Sequence, residues 1–476
     1  MNKPFIAPRL SAPLDTEAAP ANAILGGSKR PRHARSFKRF RAGRIVALAL
    51  TGVLAFTGAG ATTAALQLTG NIDAISVDDL FSYFERPERP VQPDLAAGSE
   101  EEVIPPLNIL VLGTDGRNTA ANAALGGGND RSQRSDTAMI MNISGDRRHV
   151  TMVSIPRDSV VDIPACPTTT PGRYTVPRPD TRFNAAFAYG NVAGGDTGSG
   201  ALCAMHTVEQ LTNVRLDGFI AVDFNGFRNM VDALGGVEMC IPQAIHSPLA
   251  GGLRLNPGLQ TLDGWTALQF ARARTGRGLG DGSDISRIGR QQELLGAIAL
   301  NVLSRNLLTD APALLQFLGA TTSSLTMSDN LASITGLAGL ATSLQHIRPS
   351  NIEFITTPHK TNPENRNTVI WTPEAEIVWE ALRTGTTVAD VEAAIEAAAL
   401  ETAAEQPNGV YTNGSVPTGV GPGLSGIEAA GVDDDATDAT ATEAETAAPV
   451  APTVPAAPAP RPTIATSHPA EPIYCS

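Results

Sequence analysis

The sequence predicts an α/β domain with a sheet covered by helices on both faces, a transmembrane helix before it and a disordered tail after it. Three observations carry this prediction. Short apolar runs alternate with helix-length segments in the middle of the chain, as in folds built from strands and helices in turn. Residues 45–68 contain no charged side chain, and from about residue 386 the composition changes to Ala, Thr, Pro, Gly and acids.

The predicted domain covers residues 104–385. Its apolar runs are short and bounded by Gly, Pro or Asp, which is typical of buried strands. The segments between and after these runs have the length of helices. The predicted strands are 107–112, 137–143, 150–155, 219–222 and 237–241, and the predicted helices are 207–212, 224–234, 264–268, 285–308, 331–344 and 373–382.

The N-terminal part is predicted to anchor the chain in the cell membrane by a single pass. Residues 1–44 carry ten Lys or Arg against two acids, so the positive-inside rule places this basic segment in the cytoplasm. At about 1.5 Å per residue, the helix at 45–68 is long enough to cross a hydrocarbon core of about 30 Å. The alternative is a signal peptide cleaved near residues 59–61, and either alternative makes the domain extracytoplasmic. Residues 69–103, with one short helical candidate at 77–84, are predicted to form a juxtamembrane stalk.

The tail, residues 386–476, is predicted to be of low complexity and disordered. From residue 401 onward the sequence has ten Asp or Glu, and Arg461 is its only Lys or Arg. Such a segment cannot bury enough apolar surface to order itself. The acidity of the exported part also argues against a nucleic acid partner, because no basic stripe is present there.

The four cysteines lie after the predicted membrane span, where disulfides persist. Four cysteines allow three pairings. Cys166 and Cys203 flank the segment that contains the FNAAFAYG motif, and we predict that they are bridged. Cys240 and Cys475 are then free or paired with each other. The spacing of the four cysteines does not suit a zinc site, since no Cys-x-x-Cys pair occurs.

Charged residues at the ends of predicted strands form the first part of a candidate site. Asp115 follows the first strand, Asp136 opens the second in the sequence RSDT, and Arg157 ends the third in SIPRD. Two carboxylates can hold a hard divalent ion such as Mg²⁺, which prefers oxygen ligands. Each residue alone is more often a solvated surface group.

Arginines further along the chain form the second part. Arg272 and Arg274 are two residues apart, so in an extended segment both point the same way. Asp284 opens a long predicted helix, on which Arg287 and Gln291 are four apart and share a face. Guanidinium groups bind phosphate oxygens bidentately, so this set suits a pyrophosphate. The apolar face of the same helix is typical of ordinary core.

Eight motifs follow one another along the domain. They are NILVLGTDGR, RSDT, SIPRD, FNAAFAYG, VEQLTNVRLDGFIAVDFNGF, VDALGGVEMCIP, LDGWTALQFARAR and DISRIGRQQE. In order and spacing they resemble the LytR-CpsA-Psr family, strongly over about residues 105–300 and more loosely to about residue 383.

This resemblance implies a mixed sheet sandwiched between helices and an apolar pocket for a polyprenyl chain, with the charged cluster at its mouth. It implies that Asp115 and Asp136 bind Mg²⁺, with Mn²⁺ as an alternative ion. The residues expected to bind the substrate pyrophosphate are Arg134, Arg157, Arg272, Arg274, Arg287 and Gln291. The expected catalytic residues are Asp115, Arg157, Arg272 and Arg274, and the expected supporting residues are Asp158 and Asp284.

The expected function is a phosphotransferase that ligates a glycopolymer to the cell wall. A peptidoglycan sugar hydroxyl would attack a polyprenyl-pyrophosphate-linked glycan and release polyprenyl phosphate. The sequence does not choose between Asp115, Asp136 and a metal-bound hydroxide as the base. The alternatives are a polyprenyl pyrophosphate phosphatase, with water as the acceptor, and a non-catalytic membrane scaffold or regulator of envelope assembly.

Overall fold

The computed structural model describes residues 73–89, 105–116, 133–304, 317, 319, 325–405 and 464–467. None of the helices in these ranges has the length and hydropathy that crossing a bilayer requires. The predicted span at 45–68 and the basic segment before it lie outside these ranges, so they stay predictions.

The described strands and helices confirm the α/β class. The strands are β1 (Asp73–Ile75), β2 (Leu107–Thr114), β3 (Ser135–Ile143), β4 (Val150–Ile155), β5 (Val160–Ile163), β6 (Arg178–Arg182), β7 (Gly218–Asp223), β8 (Val237–Ile241), β9 (Ile245–Ser247), β10 (Leu253–Leu255), β11 (Gly258–Leu262), β12 (Leu325–Ser328), β13 (Ile352–Thr356), β14 (His359–Thr361), β15 (Val369–Trp371) and β16 (Thr466–Ser467). The helices are α1 (Val77–Leu80), α2 (Asn184–Gly194), α3 (Thr197–Thr212), α4 (Phe224–Ala233), α5 (Gly264–Arg272), α6 (Asp284–Ser304), α7 (Asp329–Ala332), α8 (Ile334–Leu344), α9 (Ala375–Thr384) and α10 (Val388–Glu405), with a 3-10 turn at Pro349–Asn351.

Eight of these strands form a mixed central sheet in the order β1-β12-β7-β2-β3-β4-β13-β16. Strand β2 is parallel to β7, β4 is parallel to β13, and β3 is antiparallel to both β2 and β4. The carboxyl ends of β2, β4, β7 and β13 therefore meet at one edge, together with the start of β3. Loops at such an edge are where α/β sheets hold ligands.

Apolar side chains cover both faces of the sheet, because successive residues of a strand point to opposite sides. Leu110 and Ile140 pack with helices α2, α3 and α9 on one face, whereas Met139 and Met152 pack on the other against helices that include α6 and α8. A further cluster joins the hairpins of β8–β11 to α4, α5 and α6. Leu294 and Ile298 on the apolar face of helix α6 are buried in this cluster.

The predicted disulfide between Cys166 and Cys203 is confirmed. It joins the segment before β6 to α3. Helices α2 and α3 approach closely beside it, and a Cβ on Gly190 would lie 2.7 Å from the Cβ of Cys203. Cys240 is also disulfide-bonded.

The juxtamembrane segment is not a free stalk over the part that the structure describes, which corrects the prediction for residues 73–89. Strand β1 adds to the sheet beside β12, and Phe81 is buried against the core. The Arg86 guanidinium donates two hydrogen bonds, of 2.9 and 2.7 Å, to the buried carboxylate of Glu209 on α3. Apolar burial and this ion pair hold the segment on the domain.

The predicted start of the disordered tail is also corrected. Helix α10 continues the fold to Glu405, and Val388 at its start is 2% exposed. Strand β16 pairs antiparallel with β13 at the end of the sheet. Ile464 joins the core and its amide donates to the Glu392 side chain at 3.3 Å. A few apolar residues anchor these segments despite their overall composition.

Candidate active site

A β-bulge at Asp136 shapes the centre of the site. Gly113 pairs with Thr137 and Thr114 with Ser135, so Asp136 on β3 has no partner on β2. Bulges re-aim side chains and free a backbone group from the ladder. The freed carbonyl of Asp136 accepts a hydrogen bond of 2.9 Å from Arg287 Nη2.

Arg157, at the end of β4, connects three carboxylates. Its Nη1 donates to Asp136 Oδ1 at 2.6 Å, and its Nε lies 3.1 Å from Asp284 Oδ1 and 3.4 Å from Asp158 Oδ2. Burial opposes its charge, but Asp136 and Asp284 prevail and raise the pKa of Arg157. This guanidinium is therefore a fixed positive charge at the sheet edge.

Two charged residues in the first turn of α6 complete the cluster. Asp284 contacts Arg287 and Arg157 within ion-pair distance, but in the described part of the chain its oxygens accept no hydrogen bond of good geometry. Burial raises the pKa of Asp284 despite these arginines. Burial lowers the pKa of Arg287 to about 10, which still leaves the guanidinium charged at neutral pH.

The Asp136 carboxylate is held in its charged form. Burial alone would raise its pKa, but Arg157 and Arg287 outweigh that effect and lower the pKa of Asp136. Arg274 Nη2 lies 3.9 Å from the same carboxylate and adds to the lowering. The cluster thus pairs three arginines, Arg157, Arg274 and Arg287, with three carboxylates, Asp136, Asp158 and Asp284.

Arg272 and Arg274 do not lie in one extended segment, so the expectation that they point the same way for that reason is wrong. Arg272 ends helix α5, and Ala273 after it is extended, with φ −60° and ψ 130°. The Arg272 guanidinium lies over the Phe224 ring, 4.1 Å from its centroid. Arg274 approaches Asp136 instead. The two arginines therefore reach different parts of the sheet edge.

The other predicted residues lie around this cluster. Asp115 and Arg134 are joined by two hydrogen bonds. The Asp115 amide donates to the Arg134 carbonyl at 3.1 Å, and the Arg134 amide donates to the side-chain oxygen Oδ1 of Asp115 at 2.6 Å. The Arg134 side chain is exposed. Gln291 Nε2 donates to the Ala271 carbonyl at 3.1 Å, which turns its amide nitrogen toward the end of α5.

Two residues of the site were not predicted. Gln292 Nε2 donates to Ser154 Oγ at 2.9 Å and also bonds the end of β13, which ties α6 to the sheet. Arg182 Nη1 lies 3.4 Å from Asp158 Oδ1. Gln292 lies four residues after Ile288 and three before Leu295, so helical spacing places it on the apolar face of α6 and could have marked it as facing the sheet.

A narrow pocket lies beneath the charged cluster. Its mouth is charged and its wall includes apolar side chains of β3 and α6. The lining residues are Asp136, Thr137, Ala138, Met139, Ser154, Ile155, Arg157, Asp284, Ile288 and Gln291. The arginines of the cluster suit a polyanionic group, whereas the apolar pocket expected for a polyprenyl chain stays a prediction.

The carboxylates of Asp115 and Asp136 are a chemically suitable pair for a hard cation. Asp115 directly follows β2 and Asp136 lies on the neighbouring β3, and both offer only oxygen ligands, which Mg²⁺ prefers. Within the described residues no group of three or more His, Cys, Asp or Glu side chains forms a metal cage. Mg²⁺ usually takes one or two carboxylates with water and substrate phosphates, and this pair fits that pattern.

The fold and the cluster define a class of protein, an α/β domain with a site of carboxylates and arginines at one edge of its sheet. The LytR_cpsA_psr family model matches residues 85–384. The chain belongs to the LytR-CpsA-Psr family.

Similar proteins are known by name. The chain is 30% identical to the cell wall biosynthesis protein LcpA of Corynebacterium glutamicum, over 53% of this chain and 49% of that protein. It is 32% identical to the polyisoprenyl-teichoic acid–peptidoglycan teichoic acid transferase TagU of Oceanobacillus iheyensis, over 45% of this chain and 57% of that one. The chain thus spans about half the length of these curated relatives.

Solved structures are similar at lower identity. The crystal structure of B. subtilis TagV aligns over 60% of this chain and 99% of that chain, with 21% identity and a TM-score of 0.44. TagT bound to LI-WTA aligns over 63% and 98%, with 22% identity and a TM-score of 0.42.

Proposed function

We propose that the chain is a phosphotransferase that moves a glycopolymer from a polyprenyl pyrophosphate lipid to a sugar hydroxyl of peptidoglycan. The observation that carries the proposal is the cluster of Arg157, Arg274 and Arg287 around Asp136 at the sheet edge. The family supports it, since relatives are named as transferases of polyisoprenyl-teichoic acid to peptidoglycan. Its donor is a polyprenyl-pyrophosphate-linked glycan and its acceptor is peptidoglycan.

The proposed step is a displacement at the glycan-proximal phosphorus. The acceptor oxygen forms a bond to this phosphorus, and the bond from the phosphorus to the bridging oxygen breaks. Polyprenyl phosphate leaves with the bridging oxygen, and the hydroxyl proton passes to a carboxylate. Of the two candidate bases, Asp115 and Asp136, we favour Asp115, because the arginines that lower the pKa of Asp136 weaken it as a proton acceptor.

The arginines supply the electrostatic part of this step. Arg157 is fixed by three carboxylates and Arg287 by the Asp136 carbonyl, so both guanidinium groups are held before substrate binds. Preorganised charge aimed at a developing negative charge is commonly the largest contribution to catalysis. Arg274 is more exposed, with 38% of its side-chain surface accessible, and we assign it to the leaving phosphate.

Mg²⁺ is the proposed cofactor, and Asp115 and Asp136 would hold it. When bound, it would neutralise negative charge on phosphate oxygens. The proposed location is the cell membrane, with the domain outside the cytoplasm, because the lipid donor must reach the pocket beneath Arg157.

The full-length chain in detergent micelles, supplied with a synthetic polyprenyl-pyrophosphate-linked glycan and Mg²⁺, tests the proposal. Mass spectrometry measures released polyprenyl phosphate and glycan joined by a phosphodiester to peptidoglycan fragments. We expect both products only when the fragments are present. Release without acceptor would instead indicate a phosphatase, and no release under either condition would favour a scaffold.

A further inference from the structure

We propose that Arg290 is a positioning residue, which fixes the end of helix α5 and so sets the placement of Arg272 and Arg274. The inference rests on the proposed function, because it concerns two arginines of that site. Arg290 lies on α6, one turn beyond Arg287, and its side chain does not reach Asp136 by any described contact.

The contact that carries the inference joins α6 to the last carbonyls of α5. Arg290 Nη1 donates to the Phe270 carbonyl at 3.2 Å, and its neighbour Gln291 donates to the Ala271 carbonyl at 3.1 Å. The last four carbonyls of a helix have no partner within the helix. Two consecutive side chains of α6 therefore cap α5 directly before Arg272. A positive charge near the end of a helix is also favoured by the helix dipole.

The surroundings of Arg290 indicate a role other than stabilising the fold. Arg290 is 8% exposed, and Phe270 and Leu294 nearby are 2% and 1% exposed. Its Nε and Nη2 are buried and make no hydrogen bond with any described residue. Burial lowers the pKa of Arg290, and the opposing effect of the nearby Glu293 does not outweigh it. Replacing an incompletely paired buried charge by an apolar side chain of similar volume is often neutral or stabilising.

The short chain between the contact and the site makes the effect on the arginines direct. Only Ala271 separates Phe270 from Arg272, and Ala273, which is 1% exposed, separates Arg272 from Arg274. Arg274 approaches Asp136 at 3.9 Å. A displacement of about 1 Å in catalytic groups can lower a rate about 10²-fold. A small shift of the end of α5 would therefore reach both arginines.

The test compares Arg290→Met with Arg290→Lys and with the control Arg254→Met, an exposed arginine on β10. We expect Arg290→Met to lower kcat of glycan transfer about 10- to 100-fold. KM for the donor should change little, and the thermal midpoint should be unchanged or higher. Arg290→Lys keeps a donor toward the Phe270 carbonyl and should recover part of kcat. Arg254→Met should match wild type.

Wild-type kcat in Arg290→Met would overturn the inference, and so would a loss of kcat that follows a loss of thermal stability. A crystal structure of Arg290→Met provides a readout without activity, in which we expect Arg272 and Arg274 to be displaced from their wild-type positions. If both keep those positions, the inference is wrong. Failure of wild type to transfer glycan would refute the proposed function, while the variant structure would still decide on Arg290.

Discussion

Arg287 Nη2 donates to the backbone carbonyl of Asp136 and also lies against the carboxylate of Asp284. One buried guanidinium thus joins the bulge of β3 to the first turn of α6. Its side chain is 3% exposed and that of Asp284 is 14% exposed. Arg287 and Asp284 therefore depend on each other for their contribution to stability.

We expect Arg287→Met to lower the free energy of unfolding by about 3 kcal/mol, because it removes a main partner of a buried carboxylate. The double variant Arg287→Met with Asp284→Asn should recover much of this loss, since the unpaired charge is then gone. Denaturant titration measures both. The control is Arg228→Met, which breaks an exposed i,i+4 pair with Asp232 and should change stability by less than about 1 kcal/mol. Equal losses in Arg287→Met and Arg228→Met would contradict the prediction.

The carboxylates at the sheet edge predict a dependence on divalent metal. Asp115→Asn and Asp136→Asn should each raise the Mg²⁺ concentration for half-maximal transfer by about 10- to 100-fold. A loss of this size is typical even when only a residue that hydrogen-bonds to a metal ligand is replaced. Excess Mg²⁺ or Mn²⁺ should restore part of the rate. The control is Asp162→Asn at an exposed position on β5. Full transfer by wild-type protein in a chelator would show that the metal assignment is wrong.

His206 on α3 predicts a pH dependence of stability. Its ring packs edge-on against Phe81 and Phe84, with centroids 5.5 and 4.9 Å away. Burial, with a smaller contribution from Arg86, lowers its pKa to about 4. The fold therefore favours the neutral ring. Its contribution is present above the unfolded pKa of about 6.5, and stability falls as the pH decreases from there toward 4, because the unfolded chain takes up the proton more readily.

The loss over that pH range should be at most about 3 kcal/mol. His206→Phe keeps a ring between the two phenylalanines but cannot be protonated, so its stability should fall less steeply. The difference between the two proteins, measured by thermal or denaturant unfolding at each pH, isolates the histidine from the carboxylates. His346→Gln, at an exposed position, is the control. If the stability of wild type and that of His206→Phe fall equally as the pH decreases, His206 is not the source of the pH dependence.

The C-terminal strand predicts a stability effect from a segment that composition alone marks as disordered. Ile464 is 8% exposed and packs in the core beside α9 and α10. Ile464→Ser should lower the free energy of unfolding by about 2 kcal/mol, the usual range for a buried aliphatic side chain. The adjacent Ala465 is exposed, so Ala465→Ser should have almost no effect. If the two variants have the same free energy of unfolding, the burial of Ile464 contributes nothing to stability.

Local pattern predicted much of the central sheet. Strands β4 and β8 match the predicted ranges 150–155 and 237–241, because each is a short, mostly apolar run, with Pro156 after the first and Gly236 and Pro242 on either side of the second. Helix α2 was not predicted, since it consists mostly of small residues and its packing depends on the close approach at Gly190. Helix α10 and strand β16 were missed because a few buried residues, such as Val388, anchor otherwise polar sequence.

The members of the site were more predictable than its geometry. Asp136, Arg157, Arg274, Asp284 and Arg287 were singled out by motif and are brought together by the fold. The bulge that frees the Asp136 carbonyl depends on pairing between two strands, which no local pattern contains. The contacts of Arg290 and Gln292 likewise depend on how α6 packs on α5 and on the sheet.

The most direct test of the account is the transfer rate of Arg274→Ala. Arg274 is partly exposed and lies 3.9 Å from Asp136, so its removal should leave the thermal midpoint near that of wild type. We expect kcat for transfer of lipid-linked glycan to peptidoglycan to fall about 10²- to 10³-fold, the usual effect of losing one preorganised charge contact, with a much smaller change in donor affinity. Arg277→Ala, an exposed neighbour, should transfer at the wild-type rate. Transfer by Arg274→Ala at the wild-type rate would contradict the central claim.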